Sequence, residues 1–271
     1  MFGQFGDAVL LGIVQGITEF LPISSDGHLA LAELLFHLQS GGLTFNVMLH
    51  AGTLIATLVV LRREVTRAVV GGLGAVVKPS QFRDSSGGRD ALVVILASLP
   101  TAVIGLTLRD PVERWTESPI AIGLGFLGTT VMLMLAHTAK PGEREQPSWK
   151  GALLIGFAQG LAVLPGLSRS GSTIAVAMRL GVRPDRAFEL SMLMSLPAVV
   201  GAILLEGRHA MADGQFAGSP AVVGAFTALI AGIIALRVLR RVVIRGRFGW
   251  FAFWVGPLAL ATLALGMAWP G

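Results

Sequence analysis

QGITEFLPISSDGH, at residues 15–28, is the stretch that decides the fold, because QGLAVLPGLSRSGST answers it at residues 159–173. Both copies begin with Gln-Gly inside an apolar run, break at a proline, and restart after a serine-rich turn that contains glycine. Their first residues, Gln15 and Gln159, are 144 positions apart. Self-similarity at about half the chain length indicates two copies of one structural unit.

The composition is that of an integral membrane protein. Of the 271 residues, 53% are hydrophobic and only 14% are charged, and the mean hydropathy is +0.72. The net charge of +5 does not indicate nucleic acid, because the basic residues lie between apolar runs, where positive charge orients membrane proteins. Cysteine is absent, which excludes a disulfide framework. The first apolar run lacks a basic start and contains Gln15 and Glu19, so we expect no cleavable signal peptide.

Each repeat is predicted to hold one re-entrant helix hairpin followed by three transmembrane helices. The first helix, from residue 7 to 21, is shorter than the roughly 20 residues that a bilayer core needs, and it stops at Pro22. A second short helix to about residue 37 completes the hairpin. The second hairpin is expected to break at residues 165–171. The predicted spans are 44–61, 91–108 and 119–138 in the first repeat (1–138), and 187–205, 220–239 and 250–268 in the second (139–271), with a surface helix at 64–77 and a polar loop at 78–90.

Three spans is an odd number, so the two halves must face opposite ways. The predicted fold class is therefore all-α and polytopic, with an inverted-topology repeat. Of the 21 lysines and arginines, 17 fall in loops on one side, three fall on the other, and Arg169 lies in a hairpin tip. Positive charge marks the cytoplasmic side. We therefore expect a multi-pass protein of the bacterial plasma membrane with both termini and the first hairpin on the extracytoplasmic side.

The two hairpin tips carry polar residues that are costly to bury in lipid. An ionisable group at the membrane centre costs about 2.5 to 3.5 kcal/mol, so it normally faces a cavity or a partner. Both half-helices begin at these tips, and their free N–H groups converge with Arg169 in a place suited to phosphate. Ser25 or His28 could attack phosphorus, and Glu19 with Gln15 could hold Mg²⁺ or Ca²⁺. The catalytic candidates are Ser25, His28, Glu19 and Arg169. The substrate-binding candidates are Arg169 again, with Ser24, Gly27, Gly166, Ser168, Ser170, Gly171 and Thr173. The structural alternatives are a stabilising Glu19–Arg169 ion pair and serines that only cap helices.

These residues resemble the two signatures of the undecaprenyl-diphosphatase family, the bacitracin-resistance membrane phosphatases. The first signature, Glu or Gln followed by Glu after three residues, is met by Gln15 and Glu19, and its Pro-x-Ser-Ser-x-Gly-His turn by residues 22–28. The second, Pro-Gly-x-Ser-Arg-Ser-Gly, matches residues 165–171. Gln15 replaces the common Glu, and Asp26 stands where a neutral residue is usual. The resemblance implies hydrolysis of undecaprenyl diphosphate, a C55 lipid, to the monophosphate carrier used in cell-wall synthesis.

Three mechanisms, one alternative function and one further partner stay open at this point. Ser25 could be the nucleophile, with His28 three residues on as its proton partner; His28 could itself attack; or metal-bound water could attack. The principal alternative function is a secondary transporter or polyprenyl-phosphate flippase, because inverted repeats with broken helices are a transporter plan. The expected partners are the lipid substrate and the surrounding membrane lipid, and a second copy of the chain is a further candidate.

Overall fold

The computed structural model describes residues 3–36, 42–140, 142–212 and 218–268, which are almost entirely helical. In these ranges the β-structure is an isolated bridge between Arg144 and Val182. The all-α prediction is confirmed. The helices are α1 (Gly3–Thr18), α2 (Ser25–Phe36), α3 (Gly42–Val60), α4 (Arg62–Val77), α5 (Gln81–Asp84), α6 (Ser86–Thr107), α7 (Arg109–Thr116), α8 (Pro119–His137), α9 (Trp149–Leu161), α10 (Arg169–Arg179), α11 (Pro184–Ala212), α12 (Ser219–Ile244) and α13 (Ala252–Ala268), the last preceded by a 3₁₀ turn at Phe248–Phe251.

The first broken helix consists of α1 and α2, and the break lies near the predicted place. The helix ends at Thr18 rather than at residue 21, but Glu19 N still donates to Gln15 O at 2.9 Å, so the backbone keeps a helical course beyond the assigned end. Ser24 has a φ of 70°, which few residues other than glycine adopt, and this lets the chain reverse into α2. The predicted end of α2 near residue 37 lies outside the described residues.

The second broken helix repeats this plan with α9 and α10. Gly166 has a φ of 86° at the turn, a conformation that glycine adopts without penalty. Ser168 then caps α10, since its Oγ accepts from Gly171 N at 3.1 Å. Ser24 caps α2 in the same way, accepting from Gly27 N at 3.3 Å. The local breaks and restarts that the two motifs predict are therefore present.

Five helices are long and apolar enough to cross a membrane within the described ranges. A sixth span requires that Thr44–Val60 and Arg62–Val77, which meet at 85°, be counted together. Large apolar side chains also cover the outer surface, where Phe253 is 77% exposed and Leu260 is 65% exposed. Soluble monomers rarely expose apolar surface on this scale. The chain is accordingly a multi-pass membrane protein, as its composition predicts.

The polar loop predicted at 78–90 is wrong in part. Residues 81–84 form α5, and α6 begins at Ser86, five residues before the predicted span. The reason is a local cap: Ser85 Oγ accepts from Gly88 N at 2.9 Å, which satisfies a free donor in the first turn of α6. The buried carboxylate of Asp90 is paired with Arg67 and Arg186, so a charged residue is accommodated inside the helix.

Equivalent helices of the two predicted repeats make equivalent contacts. Helix α1 packs against α12 and α9 packs against α6, while α8 packs against α13 and α3 against α11. Glycines allow the close approaches: a Cβ on Gly12 would lie 2.5 Å from Gly224 O, and one on Gly156 would lie 2.2 Å from Ala97 O. These contacts support a repeat. The boundary between 1–138 and 139–271 and the inverted orientation stay predictions.

Candidate active site

The two turns meet through an ion pair between Glu19 and Arg169, residues that are 150 positions apart in the sequence. Arg169 Nη2 donates to Glu19 Oε1. The Glu19 side chain is 6% exposed and the Arg169 side chain is 20% exposed. A buried charge without a partner is strongly destabilising, so the pair fixes the two turns against each other. The ion pair that the sequence offers as a structural alternative is therefore present, and the fold brings the two tips together.

The other oxygen of the Glu19 carboxylate accepts two further hydrogen bonds. Ser25 Oγ donates to Glu19 Oε2 at 3.0 Å, and Gln15 Nε2 donates to the same oxygen at 3.1 Å. Glu19 thus connects α1, the first residue of α2 and the first residue of α10. A carboxylate that accepts a hydroxyl hydrogen bond is placed to take the proton if that hydroxyl becomes a nucleophile.

Ser25 and His28 do not form the predicted pair. The i to i+3 spacing suggested that His28 would accept the Ser25 proton, but the Ser25 hydroxyl donates to Glu19 instead. His28 Nδ1 lies 2.8 Å from Ser24 O, within its own turn. The reason is local. The carbonyl of Ser24, at the start of α2, is within hydrogen-bonding distance of the imidazole, whereas the Glu19 carboxylate lies next to Ser25 at the break.

The far side of the His28 ring contacts two residues that the sequence did not single out. Trp254 Nε1 donates to His28 Nε2 at 3.3 Å. The ring of Phe126 meets the imidazole edge-on, with centroids 5.3 Å apart and planes at 79°. Trp254 is on α13 and Phe126 is on α8. No local motif surrounds either residue, so only the tertiary fold reveals these contacts.

The second turn is organised by a threonine that the sequence analysis also missed. Thr129 Oγ1 donates to Gly166 O at 2.7 Å and accepts from Ser168 N at 2.7 Å. Ser168 Oγ lies 3.3 Å from Ser170 Oγ, and Thr173 Oγ1 lies 2.6 Å from Ser191 Oγ. In this conformation Ser168 and Ser170 bond to each other, and Thr173 bonds to Ser191 of α11. The predicted phosphate ligands Ser168, Ser170 and Thr173, like Ser24 in the first turn, are buried.

Three of the predicted substrate-binding glycines serve close packing in this structure. A Cβ on Gly27 would lie 2.7 Å from Phe126 Cζ and 2.9 Å from Gly166 Cα. A Cβ on Gly166 would lie 2.2 Å from Ile122 O, and one on Gly171 would lie 3.0 Å from Ser168 Cβ. The absence of side chains at these positions lets the two turns and α8 touch. Close packing is thus a sufficient reason for glycine at these positions, and their role in substrate binding stays a prediction.

The residues predicted to hold a metal ion have one feature that fits a hard cation. Gln15 Nε2 donates to both Glu19 Oε2 and His50 Nδ1, which fixes the orientation of the amide. Gln15 Oε1 is buried and has no hydrogen-bond partner among the described residues. An amide oxygen suits Mg²⁺ or Ca²⁺, but here the amide nitrogen faces Glu19, so a cation shared with the carboxylate would require the Gln15 amide to turn. Across the part of the chain that the structure describes, no three acidic, histidine or cysteine side chains form a complete site, so oxygens of the substrate would have to complete the coordination.

A small cavity adjoins the ion pair. Its volume is about 10 Å³, and its walls include Glu19, Arg169, Thr53, Thr57 and Ser195. That volume is about the minimum that holds one water molecule. A diphosphate is far larger than this cavity, which Ser25 and His28 do not line. The Glu19–Arg169 ion pair occupies the place where the charges of the two turns converge.

Comparison with known proteins identifies the family. The family model described as "Bacitracin resistance protein BacA" matches residues 8–261. A protein named undecaprenyl-diphosphatase from Desulfosudis oleivorans is 40% identical over 268 residues, covering 96% of this chain and 97% of the relative. Proteins of the same name from Carboxydothermus hydrogenoformans and Korarchaeum cryptofilum are 36% and 35% identical, and each alignment covers at least 95% of both chains. The chain belongs to the BacA family of bacitracin resistance proteins.

Proposed function

We propose that the protein is a membrane phosphatase that hydrolyses undecaprenyl diphosphate to undecaprenyl phosphate and inorganic phosphate. The observation that carries the proposal is the convergence of Ser25 and Arg169 on Glu19, which brings a nucleophile and a phosphate ligand each within hydrogen-bonding distance of one proton acceptor. The names of the relatives agree with this chemistry. The activity would recycle the lipid carrier for cell-wall synthesis and confer resistance to bacitracin.

Substrate binding would use Arg169 and the two helix starts. The terminal phosphate competes with Glu19 for the Arg169 guanidinium, which can grip two phosphate oxygens at once. Helices α2 and α10 begin at Ser25 and Arg169, and the free backbone N–H groups at a helix start favour an anion. Arg169 is paired with Glu19 in this structure, so the phosphate would replace Glu19 as the anionic partner of Arg169. The Glu19 carboxylate would then be free to act on Ser25.

In the first step, Ser25 Oγ attacks the terminal phosphorus and gives its proton to Glu19. The bond from the terminal phosphorus to the bridging oxygen breaks, and undecaprenyl phosphate leaves as an anion. The product on the enzyme is a phosphoserine, while Glu19 is neutral and Arg169 continues to balance the phosphate charge. Attack by a positioned hydroxyl on an in-line phosphate is the usual use of such a serine.

In the second step, water attacks the phosphoserine and gives a proton to His28 Nε2. The Ser25–phosphorus bond breaks, and Ser25 recovers its proton from Glu19, so inorganic phosphate leaves and the site returns to its starting state once His28 releases its proton. His28 suits this role because its Nε2 carries no hydrogen, although the water must first replace the Trp254 indole N–H on the single lone pair of that nitrogen. The alternatives are direct attack by His28 and direct attack by metal-bound water. Replacement of Ser25 and trapping of the phosphoenzyme distinguish them from attack by Ser25.

Release of phosphate without a membrane tests the phosphatase against a transporter or flippase. Purified protein in detergent, supplied with undecaprenyl diphosphate and with no gradient present, is expected to release inorganic phosphate over many turnovers. Undecaprenyl phosphate is the matched control, and it should release none. A transporter would release phosphate from neither lipid, and that result would overturn the proposal.

We also propose that Glu19 and Gln15 hold Mg²⁺ or Ca²⁺ together with oxygens of the substrate. A bound divalent cation would neutralise part of the diphosphate charge. The unpartnered Gln15 Oε1 supports this proposal. Excess EDTA is therefore expected to abolish phosphate release, and added Mg²⁺ or Ca²⁺ should restore it.

The Gln15→Glu variant sharpens this metal test. It places a second carboxylate beside Glu19, so it should reach half-maximal activity at a lower cation concentration than the wild type. Full activity of the wild type in EDTA, measured on protein shown to contain no metal, would contradict the proposal and leave Glu19 as an acid–base group.

We propose that the 17 basic loop residues lie in the cytoplasm and that both termini and the first hairpin open to the extracytoplasmic side of the bacterial plasma membrane. The unequal distribution of charge supports this orientation. Because the chain has no cysteine, single cysteines can be placed on a clean background. A membrane-impermeant thiol reagent added to intact cells should label Glu117→Cys and spare Ser80→Cys, and the reverse pattern would invert the topology.

A further inference from the structure

We propose that Trp254 is a positioning residue that holds the imidazole of His28 in one tautomer and one orientation. The tautomer and the contact follow from the structure alone, whereas the catalytic consequence rests on the proposed function. His28 is contacted by its own turn, by α8 and by α13, and each contact restricts a different part of the ring. Trp254 supplies the contact on the nitrogen that the reaction would use.

The contact with Ser24 determines which nitrogen carries the hydrogen. His28 Nδ1 lies 2.8 Å from Ser24 O, and a carbonyl oxygen can only accept a hydrogen bond. Nδ1 must therefore be the donor. A neutral imidazole carries one hydrogen, so Nε2 has a free lone pair and can only accept.

The contact with Trp254 agrees with the same tautomer. An indole Nε1–H is always a donor, and it lies 3.3 Å from His28 Nε2. If Nε2 carried the hydrogen instead, two donors would face each other here and two acceptors would face each other at Ser24. Two independent contacts at opposite ends of the ring thus select the Nδ1–H form.

The surroundings of Trp254 explain why this contact persists. Its side chain is 60% exposed on the outer surface of the helices, beside the 77% exposed Phe253. In a bilayer that surface faces hydrocarbon, where an indole N–H without an acceptor costs free energy. The bond to His28 satisfies the indole and, in return, prevents rotation of the imidazole about its χ2 angle, a torsion that is otherwise broad.

The consequence for the reaction is that Nε2 stays unprotonated at rest, and it can accept a proton from water once that water replaces the indole N–H on its single lone pair. Phe126, edge-on to the ring, blocks displacement toward α8. Without Trp254 the ring would sample other rotations and both tautomers, so fewer molecules would present an unprotonated Nε2 to the attacking water. Loss of an outer partner that orients a functional histidine typically lowers activity about 10- to 100-fold.

The test compares Trp254→Phe with Trp250→Phe in full-length protein labelled with ¹⁵N at histidine. Trp250 lies one turn before Trp254 and is 56% exposed, so the control makes the same change at a similar position. The His28 signals are assigned by their loss in His28→Gln, since the chain has five histidines. In Trp254→Phe we expect the Nε2 resonance to move toward that of a free ring nitrogen, and kcat to fall about 10- to 100-fold with KM within about twofold. Trp250→Phe should change neither.

The two readouts separate the possible failures. An unchanged His28 spectrum in Trp254→Phe would overturn the contact. A changed spectrum with wild-type kcat would overturn the positioning role. Wild-type activity in His28→Gln, with the spectral change still produced by Trp254→Phe, would contradict the proposed role of His28 in the reaction while leaving the contact in place.

Discussion

Replacing Arg169 with lysine is expected to lower phosphate release about a hundredfold or more while the protein still folds. Arginine presents a planar fork that grips two phosphate oxygens, whereas the lysine ammonium is a point charge on a flexible chain. Removing one preorganised donor from a developing anion typically costs about 10²- to 10³-fold in kcat. Steady-state kinetics on the detergent-solubilised protein should show the loss in both kcat and kcat/KM, because the fork acts chiefly in the transition state.

Arg179→Lys is the matched control for this prediction. Arg179 lies in the same helix as Arg169 but is exposed at its last residue. It should keep wild-type turnover. Lysine at position 169 retains a positive charge against Glu19, so the thermal unfolding midpoint should change by only a few degrees. Turnover near the wild-type level in Arg169→Lys would remove the guanidinium from the phosphate site.

Local sequence was sufficient to predict the two broken helices. Each break is encoded within about ten residues: a proline that ends the first helix, and a serine that caps the next by accepting from a backbone N–H three positions on. The length and apolarity of the runs were likewise sufficient for five of the six predicted membrane spans, because hydropathy is a property of the segment itself. The predicted span 44–61 qualifies only together with Arg62–Val77, which meets it at 85°. Because the motif occurs twice, the sequence also indicated that the turns of the two broken helices are equivalent.

The detailed contacts of the site could not be predicted in the same way. Trp254 is 226 positions from His28 and Thr129 is 39 positions from Ser168, and neither lies in a recognisable motif. The partner of Ser25 was predicted wrongly because helical spacing gives the neighbours within α2 but not the position of a residue in the preceding turn. These contacts depend on how α1, α8 and α13 pack, which residue spacing does not encode.

The hydrogen bonds of the second turn account for another difference between the motif and the structure. The motif predicts that its serines and threonine contact phosphate, yet Ser168 and Ser170 are buried and bond to each other, and Thr173 is buried and bonds to Ser191. A phosphate that displaced Glu19 from Arg169 would reach the start of α10 first. The hydroxyl bonds within the turn hold its backbone N–H groups in place, so these residues can shape the phosphate site without touching the ligand.

Replacing Ser25 with alanine is expected to produce the largest loss of all, about 10³-fold or more in kcat. The loss of a covalent nucleophile normally costs several powers of ten. The substitution removes one of the hydrogen bonds to Glu19, which keeps Gln15 and Arg169 as partners, so folding should be preserved. Steady-state release of phosphate from undecaprenyl diphosphate gives the measurement. A variant that retains more than about a tenth of wild-type turnover would contradict attack by Ser25.

Ser172→Ala and chemical trapping complete the assignment of the nucleophile. Ser172 is a buried hydroxyl in the second turn with no hydrogen-bond partner among the described residues, so its removal should leave both stability and turnover nearly unchanged.

Rapid acid quenching of wild-type protein with substrate labelled in the terminal phosphate should trap a phosphoenzyme that survives acid and is lost in alkali, as a phosphoserine is. A label with the opposite stability would identify His28 as the nucleophile, because a phosphorus–nitrogen bond breaks readily once the imidazole is protonated. Absence of any trapped label, together with an active Ser25→Ala variant, would instead favour direct attack by water, and Glu19 would then act on that water in place of the serine hydroxyl.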